Sequence, residues 1–360
     1  MPDYKATLFD PAKTFDDNFD NGPYLEDKPN YVNDGEPQHN FLGHKLYAPY
    51  GIAAGSLPTS KHVIGAFKRG FDLVTYKTQR SVQFPCNEFP NVVYVEVDGD
   101  LTLTQAEKGL IAHKDTDQPL EKLTITNSFG NPSRGPDFWL DDMKKAVAGQ
   151  GKGQLMIANV VGTIQPGFSQ EDYYQDFAEA AKVALSAGAP VIELNLSCPN
   201  VANEGIICYT YDAVIDIARR VKEAVGDTPV LAKIGYFNDE QQDLLEKIVT
   251  DTKEYLAGFA AINTIPAKVV DEAGNQFLPG EGRLKSGICG AGIKWAGIDM
   301  VKRLDAIRNQ KGLSYEIIGI GGVMAPEDYH DYVQAGANAV QSVTAAMWND
   351  QLAAQIKDTF

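Results

Sequence analysis

Eight short apolar strands alternating with helical segments predict an α/β chain folded as a (β/α)8 TIM barrel. Three observations carry that expectation. The strands are continuous apolar runs rather than alternating ones, the pattern of strands covered on both faces of a parallel sheet. Helical patterns with capping residues and terminal glycines lie between most of them. The length, 360 residues, suits one such barrel with insertions. A doubly wound open sheet is the alternative arrangement of the same alternation.

In chain order, residues 1–44 are expected to form an N-terminal arm or cap, and 45–360 the barrel. The first 40 residues are acidic and aromatic, with nine Asp or Glu against three Lys. The strands read as "YGIAA" (50–54), "DLVTYK" (72–77), "LMIANV" (155–160), "VIELNL" (191–196), "PVLAKI" (229–234), "FAAIN" (259–263), "EIIGIG" (316–321) and "AVQSV" (339–343). "TSKHVIGAFKRG" opens on cap residues and ends at a glycine, and "SQEDYYQDFAEAAKVALSAG" carries a capping box, Ser169 to Asp172. "YDAVIDIARRVKEAVG" places Val214, Ile217, Ala218, Val221 and Val225 on one face. Two intervals break the rhythm, about 79–150 and 265–290. The first holds the hairpin-like "NVVYVEVDGDLTL" and the helical "PDFWLDDMKKAVAG"; the second holds the hairpin candidate "VVDEAGNQFLPGEG". Long excursions after barrel strands become lids and pocket walls.

The bulk numbers exclude several classes. A net charge of −16 argues against a nucleic-acid partner, which needs clustered Lys and Arg. No apolar run reaches the roughly 18 residues of a membrane span. "MPDYKATLFD" has neither the basic start nor the apolar core of a secretory signal. Four scattered cysteines, Cys86, Cys198, Cys208 and Cys289, suit a reducing cytoplasm and no metal site.

Barrel chemistry sits at the C-terminal ends of the strands. Those ends carry Ala53, Ala54, Gly55 and Ser56; Lys77 and Thr78; Asn159; Asn195, Cys198 and Asn200; Lys233; Asn263 and Thr264; and Gly321 and Gly322. Singly, a strand-end lysine is ordinarily solvated or ion-paired and a strand-end asparagine forms a turn. Together on one rim they are costly to bury without partners, and a ligand rich in carbonyl and N–H groups would satisfy them. The turns "GIGGV" and "SGICGAG" (286–292) precede helices and offer free N–H groups to an anion, so a phosphorylated cofactor is expected there. Cys198 is flanked by Ser197 and Pro199 in "SCPN", a loop setting unlike that of a packed core cysteine.

"NLSCPN", with "YKT", "TNSFGNP" (126–132), "INT" and "IGIGG", resembles the class 1 dihydroorotate dehydrogenases over roughly residues 45–350. The resemblance implies an FMN-binding barrel that oxidises dihydroorotate to orotate in pyrimidine biosynthesis. It implies Cys198 as the base that takes the C5 proton while hydride leaves C6 for flavin N5. Lys77, Asn127, Asn195, Asn200 and Asn263, with Thr264, would cradle the substrate, and backbone N–H groups around Phe129 and Gly130 would receive its carboxylate. Ala53, Ala54, Gly55, Lys77, Thr78, Asn159, Asn195 and Asn263 would meet the flavin, with Lys233 beside its ring edge. Gly287, Gly290, Gly321, Gly322 and Thr344 would hold its phosphate. Pro199, Gly205 and small polar residues between a strand and a helix predict that residues 198–208 form a mobile flap over the substrate. A homodimer in the cytoplasm, with fumarate as electron acceptor or NAD through an iron–sulfur partner, is implied by the resemblance.

Val343 stands where that family usually has glycine, and "SFGNPS" where a Met-Gly-Leu type is usual. The 265–285 insertion and the threonine of "INT" lean towards the flavin barrel of dihydropyrimidine dehydrogenases, which reduce uracil with the same cysteine. Oxidation of a carboxylate-free dihydropyrimidine is therefore the alternative. A Schiff-base aldolase using Lys233 or Lys77, and a flavin-binding barrel without catalysis, are the further readings.

Overall fold

The computed structural model describes residues 5–26, 29–197 and 206–360. Eight parallel strands close into a barrel: Tyr50–Ile52 (β1), Leu73–Gln79 (β2), Leu155–Val160 (β3), Val191–Asn195 (β4), Val230–Ile234 (β5), Gly258–Ala261 (β6), Glu316–Ile320 (β7) and Ala339–Ser342 (β8). They are the eight apolar runs of the sequence, paired in chain order and closed by β8 on β1. The open-sheet alternative is thereby excluded.

Helices follow each strand: Ser60–Lys68 (α1), Pro136–Ala148 (α2), Gln170–Ser186 (α3), Tyr211–Val225 (α4), Gln242–Asp251 (α5), Lys294–Lys311 (α6), Pro326–Gln334 (α7) and Leu352–Lys357 (α8). The expected capping box opens α3: Asp172 N–H donates to Ser169 Oγ and Ser169 N–H to Asp172 Oδ2, at 3.2 and 2.8 Å. In α4, the 3.6-residue stripe Val214, Ile217, Ala218, Val221 and Val225 is buried against its neighbours, as its spacing requires.

Side chains alternate along a strand, so every second residue enters the barrel. The lower layer is apolar: Leu73, Leu155, Val191, Leu231, Ala260, Ile318 and Ala339 pack in one cluster with Phe41 and Leu46. Those last two come from the hairpin His39–Phe41/His44–Leu46, which plugs the N-terminal end of the barrel. Two residues further along the same strands the interior turns polar, with Thr75, Glu193, Lys233 and Gln341, and Asn159 above Ile157. Gln341 Nε2 ties this layer together by donating to Leu73 O and Thr75 Oγ1 at 3.1 and 3.0 Å. The barrel therefore grows more polar towards the end where its strands finish.

The two insertions meet each other. Tyr94–Val95, Leu110–His113 and Thr124–Asn127 join Ile265–Val270 and Lys285–Gly290 in a second, five-stranded closed sheet. The expected 265–290 hairpin is present, Ile265 opposite Ile288. "NVVYVEVDGDLTL" is not a hairpin by itself: Tyr94–Val95 pairs with Leu110–His113, beyond a helix at Leu103–Lys108. "SGICGAG" precedes a helix as expected but is mostly strand: Lys285–Gly290 is extended, a 3-10 turn at Ala291–Ile293 leads into α6, and Gly287 lies mid-strand opposite Asn127. Three glycines are tolerated there because neighbours crowd in: a Cβ on Gly287 would come within 2.4 Å of Thr264 Oγ1.

The segment before the barrel carries a helix, Phe15–Asn21, capped by Thr14 Oγ1 accepting from Asp17 N–H at 3.0 Å. It buries Phe9, Phe15 and Phe19 in one cluster with Ile125, Phe129 and Met347. Backbone bonds fix it there, Thr7 N–H to Met347 O at 2.8 Å and Tyr24 N–H to Thr7 O at 2.7 Å. At the barrel's other pole, α8 and the turn before it are held by two buried ion pairs, Lys357–Asp72 at 2.7 Å and Arg69–Asp350 at 2.9 Å.

Candidate active site

One cavity opens at the C-terminal ends of the strands, enclosing about 680 Å³ of empty space, part of it open to solvent. Of the residues singled out from the sequence, Ala54, Gly55, Asn127, Phe129, Lys233, Asn263, Thr264, Gly290, Gly321, Gly322 and Thr344 line it. Ala53, Lys77, Thr78, Asn159, Asn195, Gly130 and Gly287 are not among the lining residues. Cys198 and Asn200 lie outside the described residues, as do positions 198–205 of the expected flap.

Lys77 comes from the last turn of the β2 interior stripe and is 4% exposed. Its Nζ donates to Gly55 O at 2.7 Å and lies 4.1 Å from the centre of the Phe129 ring and 5.9 Å from that of Phe15. The ammonium is thus desolvated but matched by a carbonyl and two aromatic rings. Asn195 and Lys233 are direct partners across β4 and β5, and Asn159 and Glu193 across β3 and β4. Asn263 Nδ2 bridges to Asn195 Oδ1 at 3.4 Å and Ser197 O at 3.3 Å, so the asparagines of β4 and β6 converge.

Beneath them a buried acid, Glu193, lies within electrostatic reach of Lys233. Asn159 Nδ2 donates to Glu193 Oε1 at 2.5 Å, and Glu193 is completely buried. Burial raises the Glu193 pKa, while Lys233 and the Asn159 bond pull it back. Burial lowers that of Lys233, opposed by the negative charge of Glu193. The charge of Glu193 thus offsets part of the cost of a cation at the cavity wall. Glu193 was visible in the sequence as a lone acid in an apolar strand, yet only the barrel's closure shows that it faces Lys233's side.

The glycine-lined end of the cavity is built from backbone. Gly321 and Gly322 have φ of 123° and 62°, a region that side chains disfavour. A Cβ on Gly322 would strike the backbone nitrogen of Lys294, at the start of α6, at 2.8 Å. Gly290, with φ of 99°, would meet Leu123 O at 2.2 Å. Four buried polar atoms around this end and the rim have no hydrogen-bond partner: Thr264 Oγ1, Ser56 Oγ, Asn159 Oδ1 and Ser197 Oγ. Val343 fits because Gly55 faces it; a Cβ there would lie 2.5 Å from Val343 Cγ1.

The remaining walls were missed. Phe9, Val92, Ile125, Met324 and Met347 give the cavity an apolar side, and Cys289 adds a thiol whose pKa burial pushes up to about 11. Cys289 was one of four scattered cysteines with nothing to mark it. Phe9 reaches the site from outside the barrel, and no local pattern announces that.

Residues 116–359 match the family model described as dihydroorotate dehydrogenase. A protein of Dictyostelium discoideum named dihydroorotate dehydrogenase is 35% identical over 357 residues, 96% of this chain and 95% of that protein. The catalytic subunit of dihydroorotate dehydrogenase B (NAD(+)) from Methanocaldococcus jannaschii is 31% identical over 60% of this chain and 64% of that one. A crystal structure of DHODH from Eimeria tenella, in complex with ferulenol, shares the fold with a TM-score of 0.68 at 18% identity, covering 92% of this chain and 85% of that chain.

Proposed function

The chain belongs to the dihydroorotate dehydrogenase family, and from that premise we propose that the cavity holds FMN beside dihydroorotate, with Cys198 as the base. The protein is an oxidoreductase that oxidises dihydroorotate in pyrimidine biosynthesis. The observation that supports the finer reading is one cavity lined by both positive-φ glycines and a set of Lys and Asn side chains.

The residues fit the cofactor. Gly290, Gly321 and Gly322 line the cavity with positive φ, so backbone rather than side chains forms that wall, and Thr264 Oγ1 and Ser56 Oγ are buried polar atoms awaiting a partner. Gly321, Gly322 and Thr344 would take the phosphate near the start of α6, and Lys233 the ring edge. Gly287, which backs onto Thr264, would act only by admitting that side chain. FMN bound there supplies the acceptor for the hydride leaving C6 of the substrate.

The chain's own residues do the rest. Lys77, Asn127, Asn195 and Asn263, with Asn200, hold the pyrimidine ring by its carbonyl and N–H groups. The N–H groups of Phe129 and Gly130 receive its carboxylate. Lys233, whose cationic form Glu193 favours, would stabilise negative charge at the site as it develops. Cys198 removes the C5 proton: neighbouring asparagines are neutral, and the Lys77 ammonium is committed to Gly55 O. Phe9 on the cavity wall, with Phe15 packed in the same aromatic cluster, would help to exclude water.

The test is anaerobic mixing of the purified, flavin-loaded protein with dihydroorotate or dihydrouracil. Bleaching by dihydroorotate alone is expected; bleaching by dihydrouracil alone would move the protein to the carboxylate-free alternative. A colourless protein that dihydroorotate leaves unchanged would remove the cofactor assignment. Reoxidation by fumarate, or by NAD only with an added iron–sulfur partner, identifies the acceptor, and light scattering tests the homodimer. No helix of the described residues is long and apolar enough to cross a membrane; a cytoplasmic site of action is part of the proposal.

A further inference from the structure

The loop after Asn127 is held largely through its carbonyls, besides the Ser128 N–H, which donates to Asn91 O at 3.0 Å. Ser128 O accepts three hydrogen bonds: from Arg283 Nη2 at 3.1 Å, Asn91 Nδ2 at 3.1 Å and Asn87 Nδ2 at 3.2 Å. Phe129 O accepts from Asn87 N–H at 3.0 Å. Gly130 O and Asn131 O accept from Arg80, at 3.4 and 2.8 Å. Arg283 also bonds the Ser128 hydroxyl, and it reaches Glu88 O, Pro90 O and Pro279 O, so one guanidinium joins three loops. Ser128, Asn91 and Arg283 are 1%, 3% and 8% exposed, so these are interior bonds and not surface contacts.

The peptide joining Ser128 to Phe129 is trans, which sets its N–H opposite its C=O. A carbonyl pinned on one side by three donors therefore aims the Phe129 N–H to the other side, and Phe129 lines the cavity. The next peptide repeats the arrangement, Phe129 O being held by Asn87. Gly130 and Asn131 follow with φ of 78° and 53°, turning the chain so that consecutive N–H groups converge. Among the described residues neither the Phe129 nor the Gly130 N–H finds an acceptor. Donors on the carbonyl, one of them charged, also polarise the amide and strengthen the bond its N–H can give.

We propose that Arg283 and Asn91 are positioning residues for the substrate carboxylate: they hold the Ser128 carbonyl away from the cavity and so present the Phe129 amide to the anion. This rests on the dihydroorotate reading above. It gives the second insertion a task, since Arg283 lies between its two strands.

The experiment uses flavin-loaded Arg283→Met, Arg283→Lys and Asn91→Ala. KM for dihydroorotate and the dissociation constant of orotate should rise about ten- to hundredfold in Arg283→Met, the worth of a hydrogen bond to a charged group. The rise should be smaller in Asn91→Ala, which leaves Arg283 in place. In both, kcat should stay within about threefold and flavin content should be unchanged. Arg283→Lys should not rescue, because a single ammonium cannot span the carbonyls that the planar fork serves. Affinity for uracil, which lacks the carboxylate, should not fall with that for orotate. Asn91→Ala decides the matter if Arg283→Met fails to fold. Unchanged KM and orotate affinity in folded variants, or equal losses of orotate and uracil binding, would overturn the proposal. Failure of the wild-type protein to be reduced by dihydroorotate would instead remove the reading on which it rests.

Discussion

Replacing Lys233 with Met separates charge from packing, because methionine keeps most of the stem. Lys233 is 3% exposed and Glu193 is fully buried below it, so the substitution strands a carboxylate in the barrel interior. Breaking a buried pair in direct contact costs about 3–5 kcal/mol, an upper bound here because Glu193 and Lys233 interact by charge without a direct ion-pair contact. Glu193 keeps its bond from Asn159, which argues for the lower end. Unfolding entropy for 360 residues is about 0.76 kcal/mol/K, so about 3 kcal/mol lowers Tm by about 4 °C. The loss should depend on pH with a definite sign. Burial raises the folded-state pKa of Glu193, and without Lys233 it rises further. A carboxyl with a raised pKa contributes stability that is complete below its unfolded pKa and is lost as pH rises through the folded one. The gap between variant and wild type should therefore widen as pH rises above the carboxylate range. Adding Glu193→Gln should close most of it. It should not restore flavin reduction, which is expected to fall about 10²–10³-fold for one lost preorganised charge. Thermal unfolding across pH and anaerobic stopped-flow reduction by dihydroorotate read the two effects separately. A wild-type reduction rate in Lys233→Met, or recovery of rate in the double variant, would refute the assignment of Lys233 to the reacting charge.

The other expectations are shorter. Gly322→Val should release the flavin from otherwise folded protein, since even a Cβ meets the Lys294 backbone at 2.8 Å; full retention of flavin after gel filtration would remove that seat. Lys357→Met should cost on the order of 3 kcal/mol by stranding Asp72, and Asp72→Asn with Lys357→Met should recover most of it in urea unfolding. His62 is buried with its pKa lowered to about 3, chiefly by desolvation. Its contribution to stability is therefore present above the ordinary histidine range and lost as pH falls towards 3, by up to about 1.4 kcal/mol per pH unit. His62→Gln should flatten that slope, and an unchanged slope would place the acid sensitivity elsewhere.

The barrel was legible because each of its strands is buried on both faces and so wears its burial as a continuous apolar run. The polar interior was legible too, as isolated Lys, Asn and Glu residues in those runs. What escaped was everything assembled from distant segments. Tyr94–Val95 is too short to show a period, and its partner follows a helix. "SGICGAG" reads as a turn by composition, although its glycines answer to Thr264 and Leu123 rather than to a bend. The carbonyl clamp joins residues 87, 91, 128 and 283, whose proximity no local pattern encodes. Phe9 enters the cavity from the arm by the same route, through packing alone.

The pairing of the two insertions has a consequence for how such an enzyme can diverge. Asn127 sits opposite Gly287, and Gly287 is small because Thr264 occupies its space. A larger residue at 287 displaces the Thr264 side chain and, through the ladder, shifts the strand that delivers Asn127. The three positions form one coupled unit, so a single exchange among them is penalised while a concerted one is tolerated. Attempts to redirect this cavity to another dihydropyrimidine should therefore randomise 127, 264 and 287 together, and successful variants should appear as covarying triplets rather than as accumulated single substitutions.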